Sequence, residues 1–67
     1  MNDVETIRAE IRKLSAKAMQ AKMDLHDLSE ELPQGLDRVL HTAQRVVDSY
    51  GALDAKKTEL KAVEGAA

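Results

Sequence analysis

The sequence predicts an all-α protein, an antiparallel two-helix hairpin that pairs into a dimer resembling a four-helix bundle. Tyr50 is the only aromatic among 67 residues, so helix-forming residues far outweigh strand formers. Apolar residues also recur at alternating spacings of three and four along the first half of the chain, as in a coiled coil. A chain this short buries too little surface for a wide stability margin, and it has no Cys for disulfides. Oligomerisation is therefore expected.

The first helix is predicted over about residues 3–32. Asn2 is the predicted N-cap, with Glu5 returning a hydrogen bond to the cap in a capping box. The alternating spacing places one apolar seam, the a/d positions of a coiled coil, along about four heptads. Its members are Val4, Ile7, Ile11, Leu14, Ala18, Ala21, Leu25, Leu28 and Leu32.

Pro33 and Gly35 predict a turn over about residues 33–35, because proline disfavours helical geometry at the residue before it. The second helix is predicted over about 36–63, antiparallel to the first, with Leu28 opposite Leu40 and Ala18 opposite Tyr50. Its predicted apolar stripe consists of Leu36, Val39, Leu40, Ala43, Val46, Val47, Tyr50 and Leu53, continued by Leu60 and Val63, with Lys57 thinning it opposite Ile11. We expect residues 64–67 to fray.

Composition excludes several classes of function. The net charge of −2 provides no general attraction for nucleic-acid phosphates. The first residues lack a signal-peptide pattern, and no apolar run is long enough to span a bilayer, so we expect a soluble cytoplasmic protein that does not bind membranes. A two-helix hairpin also has no concave pocket in which to orient catalytic groups, so we expect no enzymatic activity and no required cofactor.

A second apolar stripe is predicted on the outer side of the first helix. It consists of Ala9, Ala16, Met19 and Met23. These residues are either ordinary surface residues or a helix–helix contact between protomers. We favour the contact, because methionine adapts to irregular interfaces and a small hairpin gains buried surface by pairing.

Five carboxylates surround the turn, with no Lys or Arg between Lys22 and Arg38. They are Asp24, Asp27, Glu30, Glu31 and Asp37. This cluster is either a solvated acidic cap or a docking surface for a basic partner. The predicted partner-binding residues, which we call the turn-proximal face, are Met23, Asp24, His26, Asp27, Glu30 and Glu31.

His26 and Glu30 are four residues apart and therefore lie on one side of the helix. If two protomers bring their His26 side chains together, a weak divalent-metal site can form. The alternative is a surface histidine bonded to a neighbouring carboxylate.

Residues 16–33 resemble the signature of small Rop-like proteins encoded in bacterial nitrogen-fixation gene clusters. The most specific part is residues 22–28, KMDLHDL, followed by Glu31, Leu32 and Pro33. The resemblance implies a helical hairpin that binds nitrogenase or its cofactor-assembly machinery, with His26 as the candidate metal contact.

The same resemblance raises a second class of function, RNA binding by a Rop-type bundle. A modest basic tract is available on the first helix, formed by Arg8, Arg12, Lys13 and Lys17. It lacks aromatic side chains on which bases could stack, and acids outnumber bases in the chain. Nucleic-acid binding is therefore disfavoured.

Overall fold

The computed structural model describes residues 3–65 as two long helices packed side by side. Helix α1 spans Val4–Glu31 and helix α2 spans Val39–Gly65, with a single 3₁₀ turn at Leu36–Arg38 before α2. The molecule is a rod with principal extents of 51 × 16 × 14 Å. The predicted all-α antiparallel hairpin is confirmed, and no strand occurs among residues 3–65. Helix α2 continues through Gly65, two residues beyond its predicted end.

Helix α1 begins with an aspartate cap. Asp3 has extended backbone geometry, and its Oδ1 atom accepts a hydrogen bond from the Thr6 backbone N–H at 2.7 Å. This bond satisfies one of the N–H groups that a helix start leaves unpaired. The predicted capping box on Asn2 and Glu5 is therefore corrected to a cap on Asp3; Asn2 itself lies outside the described residues.

The turn between the helices depends on one proline and one glycine. Leu32, directly before Pro33, has φ −53° and ψ 144°, the extended geometry that a following proline favours, and this ends α1. The Leu32–Pro33 peptide bond is cis. Gly35 has φ 78°, a left-handed conformation that suits glycine, and its carbonyl accepts a bond from the Arg38 N–H at 2.9 Å.

The inward side of α1 follows the predicted seam almost completely. Its buried residues are Ile7, Ala18, Ala21 and Leu28, and Val4, Ile11, Leu14 and Leu25 are half-buried. Leu32 departs from the prediction, because it lies in the turn and is 40 % exposed. One side of the core is therefore a regular row of apolar residues from α1.

The inward side of α2 differs from the predicted stripe. Its buried and half-buried residues include a row with alternating spacings of three and four: Val39, Thr42, Val46, Ser49, Leu53, Lys56, Leu60 and Val63. Leu36, Leu40, Val47 and Tyr50 are exposed instead. The predicted Leu28–Leu40 contact is wrong, since Leu40 is 85 % exposed. Polar residues take every second place from Thr42 to Lys56, and a search for apolar residues alone passes over them.

Lys56, rather than Lys57, is the lysine that reaches the core row. Its side chain is 23 % exposed, whereas Lys57 lies on the outside. The Lys56 Nζ atom lies 2.8 Å from Glu10 on α1 and 2.9 Å from Glu59 on α2. The carboxylate of Glu10, followed by that of Glu59, raises the pKa of Lys56 above its ordinary value. The methylene stem can thus cover apolar surface while the charge stays paired.

Candidate partner-binding face

The turn-proximal face lies on the outward side of the last two turns of α1. Met23, His26, Asp27, Glu30 and Glu31 are exposed, and the Asp27 side chain retains 73 % of its accessible surface. Leu28, between them in sequence, is buried against the hairpin core. A long regular helix therefore presents the acidic groups to solvent while its seam residues hold the fold.

Asp24 is the one member of this face that is tied to the other helix. Its Oδ2 atom lies 3.0 Å from the Arg45 guanidinium on α2, and its Oδ1 atom accepts a bond from the Gln20 side chain at 2.9 Å. The bond from Gln20, followed by that from Arg45, holds the pKa of Asp24 below its ordinary value. Its carboxylate is thus engaged within the hairpin.

Asp27, Glu30 and Glu31 have a different environment. Within residues 3–65, no Lys or Arg forms an ion pair with any of the three. Asp27 and Glu31 also line an open groove of about 280 Å³, whose opposite wall includes Arg38 of the 3₁₀ turn and Arg45 of α2. Three exposed carboxylates are therefore available to a cation from outside the chain.

His26 lies between two of these acids. Its Nδ1 atom is 3.6 Å from the Asp27 carboxylate, and its Nε2 atom is 3.6 Å from that of Glu30. Both distances are longer than a good hydrogen bond, and they describe ion pairs only when the imidazole is protonated. No group of three His, Asp or Glu residues suited to a metal ion occurs between residues 3 and 65. The metal site at His26 stays a prediction, and further ligands would come from a second chain.

Two apolar stripes point outward, one on each helix. On α1, Met19, Met23 and Ala16 are exposed and Ala9 is half-buried, as expected for a stripe outside the seam. On α2, the large residues excluded from the core form a second stripe, which the sequence prediction had assigned to the interior. We call it the α2 outer stripe: Leu36 in the 3₁₀ turn and Leu40, Val47 and Tyr50 on α2 are exposed, and Ala43 between them is half-buried. Their alternating spacing of four and three is the signal that could have revealed it.

The basic tract of α1 is partly engaged within the hairpin. The Arg8 guanidinium lies 2.8 Å from Glu64 near the end of α2, so it links the two helices at the open end of the rod. Lys13 and Lys17 flank a groove that also contains Glu10 and Leu14. The tract is therefore interrupted by acidic and apolar groups.

A family model described as Rop-like matches residues 2–65 of the sequence. The chain belongs to the Rop-like family. The match covers both helices and the turn, so the hairpin of this Rop-like protein agrees with its family assignment. No helix among residues 3–65 combines the length and apolarity needed to cross a membrane.

Several curated proteins are similar to this Rop-like chain over most of its length. A UPF0437 protein of Azorhizobium caulinodans is 46 % identical over 67 residues, covering all of this chain and 97 % of that protein. A UPF0437 protein of Nostoc is 43 % identical over 63 residues, or 94 % of this chain and 89 % of that protein. No solved structure matches the chain.

One relative carries a name with genomic information. A protein of Frankia alni described as "UPF0437 protein in nifX-nifW intergenic region" is 41 % identical over 51 residues, which cover 76 % of this chain and 62 % of that protein. This name gives the position of the Frankia gene between two nif genes.

Proposed function

We propose that this Rop-like protein is a non-catalytic accessory protein of nitrogen fixation that acts as a homodimer. It docks on a basic surface of nitrogenase or of its cofactor-assembly machinery through the turn-proximal face. The name of the Frankia relative supports the biological context. The observation that carries the docking proposal is the exposed position of Asp27, Glu30 and Glu31, without a Lys or Arg partner among residues 3–65.

Electrostatic physics explains why such a face suits docking. Exposed charges without partners in their own chain steer an oppositely charged protein and accelerate its association. Each single surface ion pair adds little affinity, so several carboxylates must act together. The exposed Met23 supplies an adjacent apolar contact that a partner can cover.

The experiment compares two triple variants of the full chain in nitrogen-fixing cells. One variant replaces Asp27, Glu30 and Glu31 with Lys. The other replaces three exposed carboxylates outside the turn-proximal face with Lys: Glu5, Asp48 and Asp54. Both variants have the same net charge, so a difference between them reports on the location of the charges. Captured proteins are identified by mass spectrometry, with nuclease treatment to remove contacts through RNA.

The first variant should lose the nitrogenase-related proteins that wild type captures, and the second should keep them. Binding of the purified wild-type complex should also weaken as salt rises, mainly through a slower association rate. Equal capture by wild type and the first variant would refute the docking proposal. Loss of all capture after nuclease treatment would favour the RNA-binding alternative instead.

The same capture assay tests the metal prediction. If a metal at His26 assists docking, Zn²⁺ or Ni²⁺ should strengthen binding by wild type and not by His26→Ala. Binding of equal strength by both proteins, with and without metal, would leave His26 as a surface side chain.

A further inference from the structure

We infer that a second copy of this chain docks on the α2 outer stripe, with the two α2 helices antiparallel and the two-fold axis passing close to Ala43. This inference rests on the proposed homodimer and specifies its interface. It differs from the sequence-based expectation, which placed the contact on the α1 stripe of Ala9, Ala16, Met19 and Met23.

The exposure of the α2 outer stripe is the first observation. The buried hydrophobic residues of the described chain are Ile7, Ala18, Ala21, Leu28 and Leu53, two of which are alanines. By contrast, Leu40 and Val47 on α2, and Leu36 in the 3₁₀ turn directly before it, are mostly exposed. The protein thus leaves larger apolar side chains outside its core than it places at several positions within it. A contiguous exposed apolar stripe of this kind is characteristic of an interface.

The order of residues along the stripe is the second observation, and it points to a copy of the same chain. Counting outward from Ala43, Leu40 and Val47 lie three and four residues away, and Leu36 and Tyr50 both lie seven away. In an antiparallel pair about Ala43, Leu36 therefore meets Tyr50 of the second copy, and Leu40 meets Val47. A two-fold interface requires such self-complementarity, because each residue contact occurs twice.

A small residue at the centre of the stripe allows the helices to approach. Ala43 lies at the crossing point, where a large side chain on the axis would meet its own copy, and it is half-buried within the hairpin. The stripe ends at Asp54 and Lys57, so the contact surface is confined to about four turns centred on Ala43.

The distribution of charge selects the antiparallel arrangement. A parallel pair would place two turns side by side, each with Glu30, Glu31 and Asp37. Like charges so arranged repel each other. In the antiparallel pair the two turns point in opposite directions, so their carboxylates are separated and this repulsion is avoided.

Engineered cysteines test both the helix and its direction, because the natural chain has none. Disulfides require Cα atoms within about 7 Å, so cross-linking is a strict measure of proximity. Ala43→Cys should form a covalent dimer under mild oxidation. Leu36→Cys and Tyr50→Cys should cross-link when mixed and not when alone. Ala16→Cys on α1 is the matched control and should remain monomeric in denaturing gels.

Sedimentation provides a second measure. Leu40→Glu should shift the protein from dimer to monomer at micromolar concentration, raising the dissociation constant at least about tenfold, whereas Met19→Glu on the other stripe should remain dimeric. Both side chains are exposed in the hairpin, and circular dichroism checks that each variant is helical.

These experiments distinguish failure of the homodimer proposal from failure of the proposed interface alone. A monomeric wild type would refute the homodimer and with it this interface. A dimeric wild type in which Leu40→Glu has no effect and Ala16→Cys cross-links would refute only the interface, and would return the contact to α1. Self-cross-linking of Leu36→Cys would overturn the antiparallel direction. Occupation of the stripe by a different protein while wild type is monomeric would also overturn the inference.

Discussion

At the scale of single residues, the hairpin uses similar carboxylates for different tasks. Asp3 accepts the Thr6 backbone N–H bond at the start of α1, and this bond holds the pKa of Asp3 below its ordinary value. Asp24 is paired with Arg45 across the helices, whereas Asp27 points to solvent. Neighbouring acids on one helix thus differ in role: Asp24 holds the two helices together, and Asp27 is exposed to solvent.

Asp24 gives the fold a defined sensitivity to acid. Its folded pKa lies below the ordinary 3.8, so its contribution to stability is present above about pH 3.8 and is lost as pH falls through the lowered folded value. In denaturant titrations, wild type should lose stability over this acid range more steeply than Asp24→Asn. Asp54→Asn removes an exposed carboxylate and serves as control. Identical acid profiles for wild type and Asp24→Asn would contradict the role assigned to the Arg45 and Gln20 contacts.

At the scale of the elements, α1 was predictable because its seam is apolar without interruption. In α2 the inward row includes Thr42, Ser49 and Lys56, and equally spaced apolar residues occur on the outside. Hydrophobicity alone cannot decide which of two stripes faces α1, since both satisfy helical spacing. One of the two carboxylates paired with Lys56 is that of Glu10 on α1. The inward position of Lys56 therefore depends on tertiary structure. The exposed acids of the turn-proximal face were predictable from their positions outside the α1 seam.

The close contact between helices is tested by adding bulk to α1. Ala18 is 1 % exposed, so Ala18→Leu should lower the free energy of unfolding by about 1–3 kcal/mol. Ala16→Leu adds the same atoms at an exposed position of the same helix. It should change the free energy of unfolding by only about 0.5 kcal/mol. Chemical denaturation measures both. Equal effects of the two substitutions would show that Ala18 does not lie in a packed core.

The two interior glycines should respond in opposite directions to alanine. At Gly35, φ is 78° and an added Cβ would lie 2.7 Å from Leu28 Cδ1, so Gly35→Ala should cost about 1–2 kcal/mol. Gly51 is helical and its added Cβ would meet nothing within 4 Å in the hairpin, so Gly51→Ala should stabilise the helix by about 0.5–1 kcal/mol. Thermal unfolding of both variants provides the comparison. A stabilising Gly35→Ala would contradict the left-handed turn.

At the scale of the whole molecule, the proposed homodimer links fold and assembly. A rod with so few large buried side chains gains stability from any copy that covers the α2 outer stripe. The melting temperature of wild type should therefore rise with protein concentration. Leu40→Glu should melt at a lower temperature that is independent of concentration, as expected for a monomer. A wild-type melting temperature that does not change with protein concentration would contradict stabilisation by pairing.

The hairpin also places Asp3 and Gly65 at the same end of a rod about 51 Å long, opposite the turn. A fluorophore attached near either residue is therefore far from the carboxylates of the turn-proximal face. In an antiparallel pair, dyes on two protomers sit at opposite extremities and transfer little excitation energy, whereas a parallel pair brings them together. The length of the rod therefore allows energy transfer between the dyes to distinguish antiparallel from parallel pairing in solution.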